Sequence, residues 1–232
     1  NARLVGQLVR ESSGGISFAY AREWLDWEHR IPVSLSLPLQ ENRTVGAPVM
    51  AVFDNLLPDS DLIRRRVAER VGAEGVDAFS LLSQIGRDCI GALQFLPEGQ
   101  FPQPMTELTG NPVDDAQIEA ILNDLDIAPL GIRRENDVRI SVAGAQEKTA
   151  LLHKDGQWIE PTGTTPTTHI IKPQIGRLPN GMDLSDSVEN EFLCLKLMEA
   201  FGLRVAKAEM ARFGEKKALV VERFDRRWTS DG

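Results

Sequence analysis

The order of elements in the second half of the chain is the tightest constraint on its fold. Ala150-Leu151-Leu152-His153 and Gln157-Trp158-Ile159 flank Asp155-Gly156, a turn pair suited to a two-residue hairpin. Thr168-His169-Ile170-Ile171-Lys172 follows as another strand. Ser185 to Phe201 then reads as a helix that ends at Gly202. Val188, Phe192, Leu195, Met198 and Phe201 predict its buried face, and Asp186 with Glu189 a capping box. Ala208 to Phe213 and Ala218 to Phe224 predict a second hairpin around Gly214-Glu215-Lys216. Upstream, Val138 to Val142 reads as a strand. Asp114 to Asp126 reads as an amphipathic helix with Ile118, Ile121, Leu122 and Leu125 as its stripe. A β-rich half that carries one long helix between its strands predicts an α+β fold.

The first part is also mixed. Leu4 to Val9 and the alternation of Ile16, Phe18 and Tyr20 predict a hairpin across Glu11 to Gly15. Val33, Leu35, Leu37 and Leu39 alternate as well, with Pro38 demoting that segment to an edge strand or its end. Helices are expected over Val49 to Leu57, limited by Pro58, and over Asp61 to Val71, with Asp59-Ser60 as cap and Gly72 as stop. A further helix runs from Phe79 to Ile85, and Ile90 to Leu96 reads as a strand. Pro97 to Pro112 is the best linker candidate. These signals divide the chain into a subdomain at 1–110 and a second unit at 111–232.

Composition narrows the function. Lys and Arg total 26 against 34 Asp and Glu, a net charge of −8, which argues against a chain-wide basic footprint for nucleic acid. No run of about 18 apolar residues exists to span a membrane. Cys89 and Cys194 lie far apart, each beside apolar residues, and read as buried thiols in a reduced, cytoplasmic setting. His29, His153 and His169 have no metal-ligand spacing. The sequence starts at Asn1 without a signal-peptide pattern and stops just after a strand, so it is expected to be part of something longer.

Three features of the second half could build a nucleotide site. Ser141-Val142-Ala143-Gly144-Ala145-Gln146-Glu147-Lys148 lies between two strands. Its small residues let backbone N–H groups approach a phosphate, and Lys148 adds positive charge. It is neither a Walker loop nor a Gly-x-Gly-x-x-Gly loop, and taken alone it reads first as an ordinary hairpin turn. Lys172 ends an apolar strand ahead of a carboxylate-bearing helix, as kinases arrange the lysine that grips nucleotide phosphates. Glu191, bordering the apolar face, is the candidate to orient it, with Glu189 as the other; a plain strand-end charge is the bland alternative. Val220 to Arg227 could be a hinge whose backbone meets an adenine edge, or an edge strand with exposed charges. Arg64-Arg65-Arg66 reads as a solvated helix face rather than a phosphate patch.

Taken in order, the segments Ser34 to Leu39, Phe53 to Ser60, Ile85-Gly86-Arg87-Asp88, Ile140 to Lys148, Thr165 to Lys172 and Val221 to Arg226 resemble the HipA family of serine/threonine kinases, the toxins of bacterial toxin–antitoxin modules. The resemblance implies a β-rich N-terminal subdomain followed by a protein-kinase-like small lobe. It places ATP phosphates at Ala143, Gly144, Ala145, Gln146, Glu147 and Lys148 and at Lys172, and adenine at Glu222, Arg223 and Phe224. It implies inhibitory autophosphorylation at Ser141, where a phosphate adds about −1.5 to −2 charge beside an anion-binding loop. It further implies an aminoacyl-tRNA synthetase as substrate and a HipB-like helix-turn-helix antitoxin as partner, with operator DNA reached mainly through that antitoxin. The family's helical lobe, with its catalytic Asp and the ligands for Mg²⁺, has no counterpart before Gly232, so this stretch alone is expected to be inactive. The alternative is a non-catalytic module that sequesters an antitoxin or senses nucleotide.

Overall fold

The computed structural model describes residues 3–102, 108–132 and 140–228. It is a mixed α+β architecture. Strands β1 (Gly6–Arg10) and β2 (Ile16–Tyr20) form the expected antiparallel hairpin, with Arg10 opposite Ile16, and β3 (Thr44–Val45) adds to β2. The short helix α1 (Arg22–Leu25) leaves the hairpin. Helix α2 (Ala47–Asp54) packs on this sheet, α4 (Ala78–Ile85) packs against α2, and α3 (Asp61–Val71) against α4. Ser60 caps α3 by accepting from the Ile63 amide, and Gly72 ends it in the left-handed region at φ 67°. Phe18, Val49, Phe53, Val67, Leu81 and Ile85 are central to the core so formed.

Two segments read as strands from their alternation do not form them. Between Val33 and Leu39 the only pairing is an isolated bridge from Ser34 to Leu37. Pro32 and Pro38 remove ladder donors at both ends, and the buried Tyr20 hydroxyl ties the segment down by donating to Leu37 O and accepting from Val33 N. In the Ile90–Leu96 segment, Gly91 at φ 81° breaks extension, and pairing is confined to β4 (Asp88–Cys89) just before it.

The second half is one six-stranded antiparallel sheet. Its strands are β5 (Gly110–Val113), β7 (Thr149–Lys154), β8 (Gln157–Pro161), β9 (His169–Pro173), β12 (Ala208–Phe213) and β13 (Lys216–Glu222), in the order β12-β13-β9-β7-β8-β5. The linker reading thus fails at its end, because Gly110 to Val113 pairs with β8. Pro112 is tolerated because β5 is the sheet edge. The rest of the predicted linker includes residues 103–107, which lie outside the described residues. So do residues 138 and 139 of the predicted Val138 strand; what is described there is β6 (Ile140–Ser141), paired in parallel with β4. The small ribbon β10 (Gly176–Arg177) and β11 (Asp183–Leu184) precedes the long helix α6 (Ser187–Ala200).

Side chains alternate across this sheet and divide its faces. Leu151, Ile171, Phe213 and Val220 pack beneath α5 (Asp115–Asn123), whose Asp114 and Gln117 form a full capping box. Ala150 and Ile170 face the other way and join the core of the first half. Lys172 shares that second face, which α6 also adjoins.

Helix α6 departs from the pattern read in its sequence. Of its predicted apolar face only Val188 is buried; Met198 and the flanking Phe201 are exposed, as are Leu193, Leu197 and Cys194. Apolar residues surround this helix, so periodicity did not single out the side that meets β12 and β13. Asp186 is the N-cap residue but makes no side-chain cap bond, and Glu189 turns instead to Lys217.

Candidate nucleotide site

Ser141 begins the candidate loop at zero exposure, its Oγ donating to Leu56 O at 2.5 Å. Gly144 has φ 111°, and its carbonyl accepts from Asp59 N at 3.2 Å as Gly144 bridges to Pro58. A Cβ at Gly144 would lie 2.9 Å from Lys148 Nζ, so glycine lets the lysine fold back over the backbone. Gln146 Nε2 donates to Pro173 O at 2.8 Å, and Glu147 Oε1 meets Arg66 Nη2 at 2.7 Å. The loop therefore bridges β9 on one side and the α2–α3 turn on the other.

Lys148 is the chemically unusual member. Its Nζ is buried without a hydrogen-bond partner among the described residues. Burial, then the neighbouring charge of Lys172, lowers its pKa to about 8, against the pull of Asp59, Glu147 and Glu191. A buried ammonium that lacks an acceptor calls for an anion. Lys172 stands nearby on β9, held by Glu191 of α6 at 2.6 Å, the pairing expected of it. Together the Gly144 turn and the two lysines concentrate positive charge at this loop. Among the described residues no group of three or more His, Cys, Asp or Glu could hold a metal ion.

Beyond β13 the candidate hinge divides. Phe224 is 89% exposed and free to lie against a ring. Glu222 pairs with Lys207 at 3.2 Å. The Arg223 guanidinium instead is buried among Asp88 Oδ2 at 3.0 Å, Asp225 Oδ2 at 2.8 Å, Thr167 Oγ1 at 2.7 Å and Cys89 O at 2.7 Å. Its amide donates to Thr168 O at 2.8 Å and its carbonyl accepts from Arg226 N at 3.3 Å, so both backbone groups of Arg223 are engaged. Arg226 adds a bond to Asp88 Oδ1 at 2.8 Å. Burial pushes the Asp225 carboxyl up, but Arg223, the Gly91 amide and Arg226 outweigh it and hold it below the usual carboxylate range.

The sequence reading missed this cluster, since nothing in its spacing ties Asp88 to the distant Arg223. It also missed the arginine triplet. Arg64 pairs with Asp54 at 2.6 Å and Arg66 with Glu147, and only Arg65 lies on a solvated face. The signal for both was charge placed beside buried positions. Cys89 is buried as expected, and burial together with Asp88 pushes its thiol well up. No helix among the described residues is long and apolar enough to cross a membrane.

Comparison with known proteins gives this geometry its class. Residues 1–96 match the family of HipA N-terminal domains, and residues 140–231 match the family of HipA-like C-terminal domains. The chain is 37% identical over 235 residues to the Sinorhizobium fredii protein Y4mE, covering all of this chain and 54% of that protein. It is 30% identical over 226 residues to the serine/threonine-protein kinase toxin HipA of Shewanella oneidensis, covering 97% of this chain and 48% of the toxin. A solved complex of Shewanella oneidensis HipA, HipB and operator DNA contains a chain that superposes with a TM-score of 0.72 at 28% identity, over 98% of this chain and 50% of that one. The chain thus belongs to the HipA-like toxin kinase family and covers its N-terminal domain and part of its C-terminal domain. It spans about half the length of the relatives it matches.

Proposed function

We propose that this chain is the N-terminal subdomain (1–110) and the nucleotide-binding small lobe (111–232) of a HipA-like serine/threonine-protein kinase toxin. The observation that carries the reading is Lys148: a buried ammonium without an acceptor among the described residues, folded over Gly144 beside the Lys172–Glu191 pair. ATP phosphates would take the Ala143–Lys148 amides, Lys148 and Lys172, where protein charge replaces water as phosphoryl transfer develops. Glu191 fixes the Lys172 ammonium in place. The adenine would lie along Glu222 to Phe224. Mg²⁺ would neutralise charge between the phosphates, and its ligands, with the catalytic Asp, fall to polypeptide outside this chain.

The regulation and partners follow the family. Ser141 is the proposed inhibitory phosphorylation site; its buried hydroxyl could accept phosphate only after the loop leaves Leu56 O. An aminoacyl-tRNA synthetase is the proposed substrate. A HipB-like antitoxin is the proposed partner and carries the contact with operator DNA, consistent with the acidic balance of this chain. The test is Lys172→Ala in the full-length protein. Labelled phosphate incorporation is expected to vanish while the circular dichroism spectrum and melting temperature stay near wild type. Unchanged incorporation would overturn the reading.

A further inference from the structure

We infer that Arg66, on α3 of the N-terminal subdomain, is a positioning residue that latches the phosphate loop in its folded state; the inference rests on the nucleotide-site reading above. Besides Arg66, the loop meets the subdomain through the β4–β6 ladder, where Ser141 lies opposite Cys89, and at the α2–α3 turn. Ser141 Oγ donates to Leu56 O, Asp59 N donates to Gly144 O, and Pro58 and Gly144 form a bridge. The surface it meets is itself stapled. Arg64 binds Asp54 through Nη1 at 2.6 Å and Pro58 O through Nε at 2.5 Å, which fixes the turn between α2 and α3.

Arg66 supplies the one ionic contact in this set. Its Nη2 meets Glu147 Oε1 at 2.7 Å, and its Nη1 donates to Asp126 O beyond α5. Both side chains are about a quarter exposed, so water screens the pair only in part. Glu147 Oε2 is buried without a partner among the described residues, and burial raises the Glu147 pKa against the pull of Arg66 and Lys148. A carboxylate in that state, next to Lys148 in an anion-binding loop, works against a bound phosphate. Arg66 answers its charge and holds it aside. The N-terminal subdomain thereby sets how readily the loop accepts an anion, although it contributes no side chain to the lysine pair.

The test uses the full-length protein with Arg66→Ala, Arg66→Lys and, as a site control, Lys172→Ala. Hydrogen exchange without nucleotide is expected to quicken at amides 141–148 in Arg66→Ala, with α4 and β13 amides unchanged. ATP affinity by equilibrium dialysis is expected to fall about tenfold, the scale of one partly screened charged hydrogen bond, and to recover in part with Arg66→Lys. A purely structural role would instead quicken exchange throughout α3 and α4, and this outcome overturns the latch. Loop exchange equal to wild type also overturns it, whatever the nucleotide does. Failure of the wild-type protein to bind ATP would sink the site reading alone, since the exchange arm needs no nucleotide.

Discussion

Lys148 shows how a single residue carries charge chemistry that its sequence context only hints at. The Ala-Gly-Ala run was legible as a place of close backbone approach. That Lys148 would fold back over Gly144, rather than reach into solvent, depends on β9 and the α2–α3 turn closing around it. Its depressed pKa has a definite consequence for stability. Between about 8 and the ordinary lysine value of 10.5 the unfolded chain holds a proton that the folded chain has lost, so stability rises with pH across this window. Below about 8 the burial penalty is present in full. Lys148→Met keeps the chain length and removes the charge. In urea titrations without nucleotide the variant is expected to be the more stable protein at pH 7, with the gap closing steadily toward pH 10. A gap that does not change with pH would show that Lys148 is not a buried ammonium.

Among the elements, β4 has a role out of proportion to its two residues. Asp88 takes Arg223 and Arg226 from the chain beyond β13, and its Oδ2 also accepts from the Thr167 amide and hydroxyl. Removing Asp88 leaves two guanidiniums to share the single carboxylate of Asp225, one buried charge uncompensated, which costs about 3–5 kcal/mol. Asp88→Ala is therefore expected to destabilise the protein by that amount in denaturant unfolding. Asp88→Ala with Arg223→Met should recover part of the loss, because the second change removes the stranded guanidinium. A loss under about 1 kcal/mol would mean that the cluster is hydrated and ordinary. Local pattern identified the three hairpins β1–β2, β7–β8 and β12–β13 and helices α2 to α5, because each is an unbroken period with turn residues at its ends. It found α6 as a helix but not its buried side, since apolar residues surround that helix, and it failed at Val33 to Leu39, where prolines override the alternation. Pairings such as Asp88 with Arg223 were invisible, since a charge run carries no record of its distant partner.

At the scale of the molecule, the two halves read from composition are joined more closely than a linker implies. The core around Phe53 and Leu81 continues through Leu130, Ile132, Ile140 and Val142 to Ala150 of the large sheet. The β4–β6 ladder, the Asp88 cluster and the loop contacts to the α2–α3 turn cross the same boundary. Removing residues 111–232 would expose that part of the core to water at about 25 cal/mol per Å² of apolar surface and leave Asp88 without its arginines. A cut at 110/111 therefore separates two sequence units but not two folding units. Residues 1–232 are expected to unfold in one transition, with tryptophan fluorescence and far-ultraviolet circular dichroism coincident across the denaturant range. Residues 1–110 expressed alone are expected to bind a hydrophobic dye and lack a cooperative melt. Two separated transitions, or a cooperative melt of the isolated 1–110 segment, would show that the shared core is dispensable. The latch on the phosphate loop would then be a contact between independent bodies rather than part of one.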